Sequence, residues 1–447
     1  MKHATHIFAA IAGVVAFAVS VLLLAAPIAR ADNLHDDAND FDRSIARYSA
    51  HLLQSGREIF RYDTFGDEVF WGDALKLHQA IAGAANGGVG PGVSPQTALA
   101  VGLKVDRDAL PYALRVQLQK GKVDLTDPAT TLALLKLDAI VGVKGFFERG
   151  RLRSVGIQCA LCHSTVDNSF APGIGSRLDG WPNRDLNVGA IIALAPDLTP
   201  FTQALGVDDA TVRTVLNSWG RGKFDAALML DGKAFRPDGK PAATLLPAAF
   251  GLAGVNLHTY TGWGSVTHWN ALVANLEMGG QGTFYDPRLA DAEKFPIAAK
   301  LGSFDVRHEP DRVTSKLPAL HAYQLSLPAP TPRRDSYNGA AANRGRGVFN
   351  GKAQCATCHV PPLFTDAGWN MHTPEEIGID DFQAKRSPDE HYRTTPLKGL
   401  FTRAEGGFYH DGRFADYLAV INHYNDHMNL QLNEGEKNDL VEYLKSL

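Results

Sequence analysis

The sequence predicts a mainly α protein of two similar domains behind a helical N-terminal leader. Three observations carry this expectation. "CALCH" at 159–163 returns as "CATCH" at 355–359, apolar residues recur at helical spacing through much of the chain, and a weak repeat relates residues 250–278 to 398–426. The 447 residues are 45% hydrophobic and 21% charged, which suits a globular protein with two or three cores. Lys+Arg (44) and Asp+Glu (48) nearly balance, for a formal net charge of −4. With no basic stripe, the composition argues against a nucleic-acid partner.

In chain order, residues 1–31 read as a secretory signal peptide. A short basic start precedes an apolar run from Ile7 to Ile28, and small residues Ala29 and Ala31 mark a cleavage site after Ala31. The alternative is a membrane anchor; under both readings the folded part is exported, to the periplasm, and after cleavage no stable membrane span is expected. Residues 32–139 form the helical leader, with helix patterns in "DRSIARYSAHLLQSGREIF" and "DPATTLALLKLDAIVG". Between them "GAANGGVGPGVSP" is a solvated loop, not a phosphate loop, because no strand precedes it and no Lys follows. A buried amphipathic helix explains the leader residues Glu68, Trp71 and His78 as well as a site does. The first domain spans 140–327. A Pro-rich linker, 328–337, contains "PAPTP". The second domain, 338–447, opens on the helix-like "GAAANRGRGVFNGKAQCATCH" and closes on a helix that puts Leu440, Val441, Leu444 and Leu447 on one face.

The two motifs use all four cysteines of the chain, and each pair is followed at once by His. Disulfides leave the His unexplained, zinc wants a closed tetrahedral set, and a redox Cys-x-x-Cys needs no His. Covalent haem explains all three residues: the thiols add to the porphyrin vinyl groups and the adjacent His ligates iron. The sequence therefore predicts two haems c, attached at Cys159 and Cys162 and at Cys355 and Cys358, with His163 and His359 as proximal ligands. The domains are then cytochrome c-like. The repeat gives each a distal loop and helix, since Gly251 and Gly264 match Gly399 and Gly412 without a gap. On that register Tyr424 of the second copy meets Leu276 of the first, which predicts one closed haem and one open haem.

These segments resemble the bacterial diheme cytochrome c peroxidase superfamily, which includes the quinone-maturing enzyme of methylamine dehydrogenase and the diheme rubber oxygenases. "VKGFFERGRLRSVGIQCALCH" is similar to the family's entry to the first haem, "GWGSVTHWNALVANLEMGG" to its first distal segment, and "GFYHDGRF" with "AVINHY" to its second. The resemblance covers residues 140–447. It implies that Glu277 is the distal acid/base of the open haem and that Trp263 is the tryptophan between the haems. It places Tyr424 as sixth ligand of the second haem, with His423, Met428 and His410 as alternatives. It also raises calcium as an open cofactor, although Met371, His372 and Asp381 match no defined loop. The family's gating His, expected shortly after the first motif, is missing, as no His occurs between His163 and His258. His258, His268 and Met278 are the substitutes at hand.

The reading is an exported diheme oxidoreductase that reduces hydrogen peroxide at the first haem with electrons passed through the second. The donor would be a small cytochrome c or cupredoxin. A diheme oxygenase or protein-modifying oxidase using O2, and a plain electron-transfer cytochrome, are the alternatives.

Overall fold

The computed structural model describes residues 40–366 and 370–447. The signal peptide 1–31, with its cleavage after Ala31, and the first leader residues 32–39 lie outside the described residues. Residues 40–54 and residues 55–447 form separate units. The described part of the first is helical, begins at Asp40 and carries the Arg43–Asp40 ion pair at 2.6 Å.

The protein is helix-rich, and its strands are confined to five two-stranded sheets among the described residues. The longest sheet is a hairpin, Val143–Glu148 against Arg151–Ile157, directly ahead of the first Cys-x-x-Cys-His. Its two-residue turn uses Arg149 (φ 50°) and Gly150 (φ 83°), the double positive φ that matches the twist of paired strands. The hairpin ends at Ile157, whose amide donates to both Asp67 carboxylate oxygens at 3.2 and 3.1 Å. That bond ties the approach to the motif to the leader.

The leader is part of the core. Trp71, Leu75, Leu134 and Leu135 are buried in one cluster with Leu152, Leu161, Leu186, Trp219 and Leu246. A second cluster draws only on residues 349–447, among them Phe349, Phe364, Ile421, Leu440 and Leu444. There the helices Gly339–Asn350 and Glu434–Lys445 cross so closely that a Cβ at Gly345 would lie 2.0 Å from the Asp439 carbonyl oxygen. Arg344–Asp439 (2.6 Å) and Lys352–Glu436 (2.7 Å) flank this crossing, and a capping box of Asn433 and Glu436 starts the second helix. The Pro-rich stretch carries no helix or strand, and it packs along the chain: Pro330 lies against Gly399, and Leu327 O accepts from Gly251 N at 2.8 Å.

A buried ionic knot joins the two halves of the 55–447 unit. Arg386, with a fully buried side chain, donates to Asp231 (2.7 and 3.0 Å), pairs with Asp225 at 2.9 Å and reaches Ala242 O at 3.2 Å. One cation between two buried carboxylates is indispensable once the site is folded, because its loss leaves both anions without compensation. Among the described residues no helix is long and apolar enough to cross a membrane.

Replacing Arg386 by Leu is therefore expected to cost about 3–5 kcal/mol of stability. A chemical-denaturation midpoint close to that of the parent protein would contradict this account of the knot.

Candidate functional site

Both Cys-x-x-Cys-His motifs fold as one helical turn. His163 N donates to Cys159 O (3.2 Å) and His359 N to Cys355 O (2.9 Å), so in each copy the first Cys and the His lie on one face. A second bond fixes each ring: His163 Nδ1 donates to Pro247 O (3.1 Å) and His359 Nδ1 to Phe364 O (3.0 Å). A carbonyl only accepts, so Nδ1 holds the proton and Nε2 keeps its lone pair for a metal. Burial lowers the pKa of both imidazoles and keeps them neutral. Burial also pushes the thiols of Cys159, Cys162 and Cys355 up to about 12, the opposite of an activated redox cysteine.

Each motif lines a cavity, of about 300 Å³ beside His163 and about 570 Å³ beside His359. Two thiols, a neutral imidazole with a free Nε2 and a largely apolar chamber fit a covalent haem in each place. Among the described residues no group of three or more His, Cys, Asp or Glu side chains could hold a metal ion, and no residues are assigned to calcium. His372 instead sits between Asp366 (2.9 Å) and Glu376 (2.8 Å), and Asp381 pairs with Lys385.

The distal helices are Val266–Leu272, continued by a π-helical turn Val273–Glu277, and Tyr417–His427. Ser265 and Asp416 cap them by accepting from His268 N and Ala419 N. The caps set the offset at 416 − 265, or 151 residues, where the ungapped glycines give 412 − 264, or 148. The loop before the second helix is longer by that difference, and the helices align on their caps, not on the glycines. On the cap register, Val266, Trp269, Asn270, Val273 and Glu277 face the first cavity where Tyr417, Val420, Ile421, Tyr424 and Met428 face the second. Tyr424 thus corresponds to Val273. Leu276, its expected counterpart, packs away from the cavity, with Trp263, Leu272 and Phe284.

Glu277 corresponds to Met428 and reaches the first cavity, with Oε1 buried and unpartnered. Burial, reinforced by the Asp225 carboxylate, raises its pKa to about 8. Its position is braced from the leader, where Trp71 Nε1 donates to Met278 O (2.8 Å) and Phe65 O accepts from Gln281 N (2.9 Å). Met278 N closes the π turn on Val273 O at 2.8 Å.

Trp263 is buried in the first cavity's wall, where Nε1 donates to Asp286 Oδ2 (3.2 Å) and the ring stacks on Phe295 at 5.9 Å. It does not line the second cavity. Tyr260 and Arg393 line both, and sequence reasoning passed over both; the one available signal was Tyr260's place in the repeated distal loop. Of the substitute ligands, His258 and Met278 line the first cavity, but His258 Nε2 donates to Val255 O (2.9 Å) and burial takes its pKa down to about 4. His268 does not line the cavity and meets Asp286 Oδ2 at 3.0 Å.

At the second cavity, Tyr424, Met428 and His410 are all in the lining, and His423 is not. His423 Nε2 donates instead to Ile377 O at 2.9 Å. Burial raises the Tyr424 phenol to about 12 and lowers His410, stacked on Tyr392 at 5.3 Å, to about 4.

No protein-family profile matches the chain. The methylamine utilization protein MauG of Methylorubrum extorquens is 30% identical over 155 residues, spanning 30% of this chain and 43% of that protein. The protein of the same name from Methylophilus methylotrophus is 25% identical over 338 residues, spanning 69% and 82%. Two solved structures share lesser likeness. A hydrazine synthase of Kuenenia stuttgartiensis has 20% identity and a TM-score of 0.28 over 48% of this chain and 76% of that one. A MauG-like protein associated with microbial copper homeostasis has 17% identity and a TM-score of 0.28 over 49% and 76%.

Purified holoprotein is expected to carry two haems per chain by the pyridine haemochrome assay, and a Cys355→Ala/Cys358→Ala variant one. Two haems in that variant would refute attachment at the second motif.

Proposed function

We propose that the chain is a diheme oxidoreductase of the diheme cytochrome c peroxidase superfamily, exported to the periplasm, and that it reduces hydrogen peroxide in the cavity beside His163. The single observation that carries this reading is the asymmetry of the two distal helices. Over the first cavity stands apolar Val273 with the unpaired carboxyl of Glu277 one turn on. Over the second stand Tyr424 and Met428, both able to ligate.

Bound haem supplies the iron site and the one-electron redox chemistry, held by Cys159, Cys162 and His163 in the first cavity and by Cys355, Cys358 and His359 in the second. The chain's own part is to bind, orient and move protons. Reduction of H2O2 consumes two electrons and two protons and yields two waters, and the proton on the retained oxygen must reach the departing one. Glu277 Oε1 is suited to that transfer: it is unpartnered, shielded from bulk water, and near 8 in pKa, so both protonation states are accessible close to neutrality. Trp71 and Phe65 hold the Glu277 turn in place. We assign the first haem domain to 140–327, the second to 338–447, and the sixth ligand of the second haem to Tyr424, with Met428 and His410 as the other cavity-facing candidates. Trp263, confined to the first cavity's wall, would act there as an oxidisable side chain. Electrons would come from a small cytochrome c or cupredoxin.

A second reading is an oxygenase or protein-modifying oxidase. The observation favouring it is that His258, the nearest histidine to the missing gating position, is committed to Val255 O, which leaves the first cavity ungated.

With Glu277 as the base, kcat/KM for peroxide should rise with pH through about 8, because the carboxyl is protonated below its pKa. Glu277→Gln should lower kcat/KM by about 10²–10⁴-fold and flatten that limb, with haem spectra unchanged. Peroxide consumption by Glu277→Gln at the parent rate would sink the proposal. Peroxide turnover that consumes no reduced cytochrome c would favour the second reading.

A further inference from the structure

Three arginines line the second cavity and none pairs with a carboxylate among the described residues; Glu376, in the same lining, is engaged by His372 at 2.8 Å. Arg184 and Arg403 are 6% and 8% exposed, and Arg393, partly exposed, belongs to the wall that both cavities share. Arg184 Nε and Nη1, Arg393 Nε and Arg403 Nε are buried without a hydrogen-bond partner. The bonds these side chains do make go to neutral carbonyls: Arg393 Nη1 to Leu257 O (3.1 Å), and Arg403 Nη2 to Pro396 O (2.6 Å) and Lys398 O (3.1 Å). None forms an ion pair among the described residues. The fold treats its other buried arginines differently. Arg386 has Asp225 and Asp231, and Arg177 has Asp106 at 2.6 Å.

Three guanidiniums within one another's field are costly to bury unless an anion joins them. Burial, and for Arg403 the adjacent Arg184 and Arg393, pull the guanidinium pKa of Arg393 and Arg403 down to about 10. The unsatisfied N–H groups form planar forks suited to carboxylate oxygens.

We propose that Arg184, Arg393 and Arg403 form a carboxylate-binding subsite of the second cavity, filled by the propionate groups of the haem borne on Cys355 and Cys358. This rests on the diheme reading above. Three cations facing two carboxylates leave net positive charge beside that haem, which favours its reduced state and a higher reduction potential than the same haem would have without them. The first cavity differs: its lining carries Glu277 and Asp225, the latter paired with Arg386 at 2.9 Å. Arg393, in the shared wall, lies where it can bear on both haems.

The test uses the full-length holoprotein. A haem count comes first: a chain with no haem fails the diheme reading itself, before the subsite is addressed. With two haems bound, resonance Raman propionate-bending bands and redox titrations are compared for the parent, Arg184→Gln and Arg403→Gln, either variant sufficing if the other does not fold. The parent is also titrated with sodium acetate and with inorganic phosphate. Shifted propionate bands, a lowered midpoint potential of one haem and no saturable response to acetate or phosphate are expected. A saturable response to acetate or phosphate, with propionate bands unchanged in the variants, would give the subsite to a free anion and overturn the propionate assignment. Unchanged bands and potentials with no anion response would overturn the subsite altogether.

Discussion

One hydrogen bond per site, from an imidazole Nδ1 to a backbone carbonyl, sets the chemistry available to the rest of the structure. It selects the tautomer, aims Nε2 into the cavity and costs the fold only a carbonyl in the right place. For His163 that carbonyl belongs to Pro247, and Pro247 and Ala248 line both cavities. The segment that orients the first imidazole is therefore also a wall of the second chamber. Disturbing it would change the two sites together, so the two cavities are neighbours by construction and not merely by proximity.

The local parts of this arrangement were legible in the sequence. Cys-x-x-Cys-His occupies a single turn, and a turn's geometry follows from spacing alone. The terminal helix and its buried Leu440, Leu444 and Leu447 follow from helical periodicity in the same way. The hairpin at 143–157 has a local signal too, since Arg149–Gly150 is a two-residue turn between runs rich in β-forming residues. The register of the distal helices was not legible. Glycines at equal spacing suggest an ungapped repeat, whereas the helices align on Ser265 and Asp416, and only the fold shows that the intervening loops differ in length. Long-range partners were invisible altogether. Nothing near Arg386 in the chain announces Asp225 and Asp231, and nothing near Tyr260 announces that it stands between two chambers.

The two sites differ in kind as well as in distal residue. Among the described residues, the first cavity's lining holds two carboxyls, Glu277, with its pKa raised to about 8 by burial and by Asp225, and Asp225 itself, tied to Arg386. The second holds the phenols Tyr409 and Tyr424 and the three unpaired arginines, with its one carboxyl, Glu376, engaged by His372. Two chambers of different chemical lining have thus been built on two copies of one loop-and-helix plan. The difference lies in a handful of side chains at matched positions, Val273 against Tyr424 and Glu277 against Met428.

The bond from Trp71 to Met278 spans 207 residues of sequence. Closing so long a loop is entropically late, and its far end cannot join until the first distal segment has left the ribosome. The backbone turn bearing His163 closes locally, from His163 N to Cys159 O, and only its ring waits for Pro247 O, 84 residues on. During biogenesis, then, the turn of the first Cys-x-x-Cys-His motif can form well before the Glu277 turn is braced over its cavity. A chain in which the Trp71–Met278 bond has not yet formed keeps the local turn of its first motif and lacks the brace on Glu277, so the two parts of the first cavity are completed in separate stages.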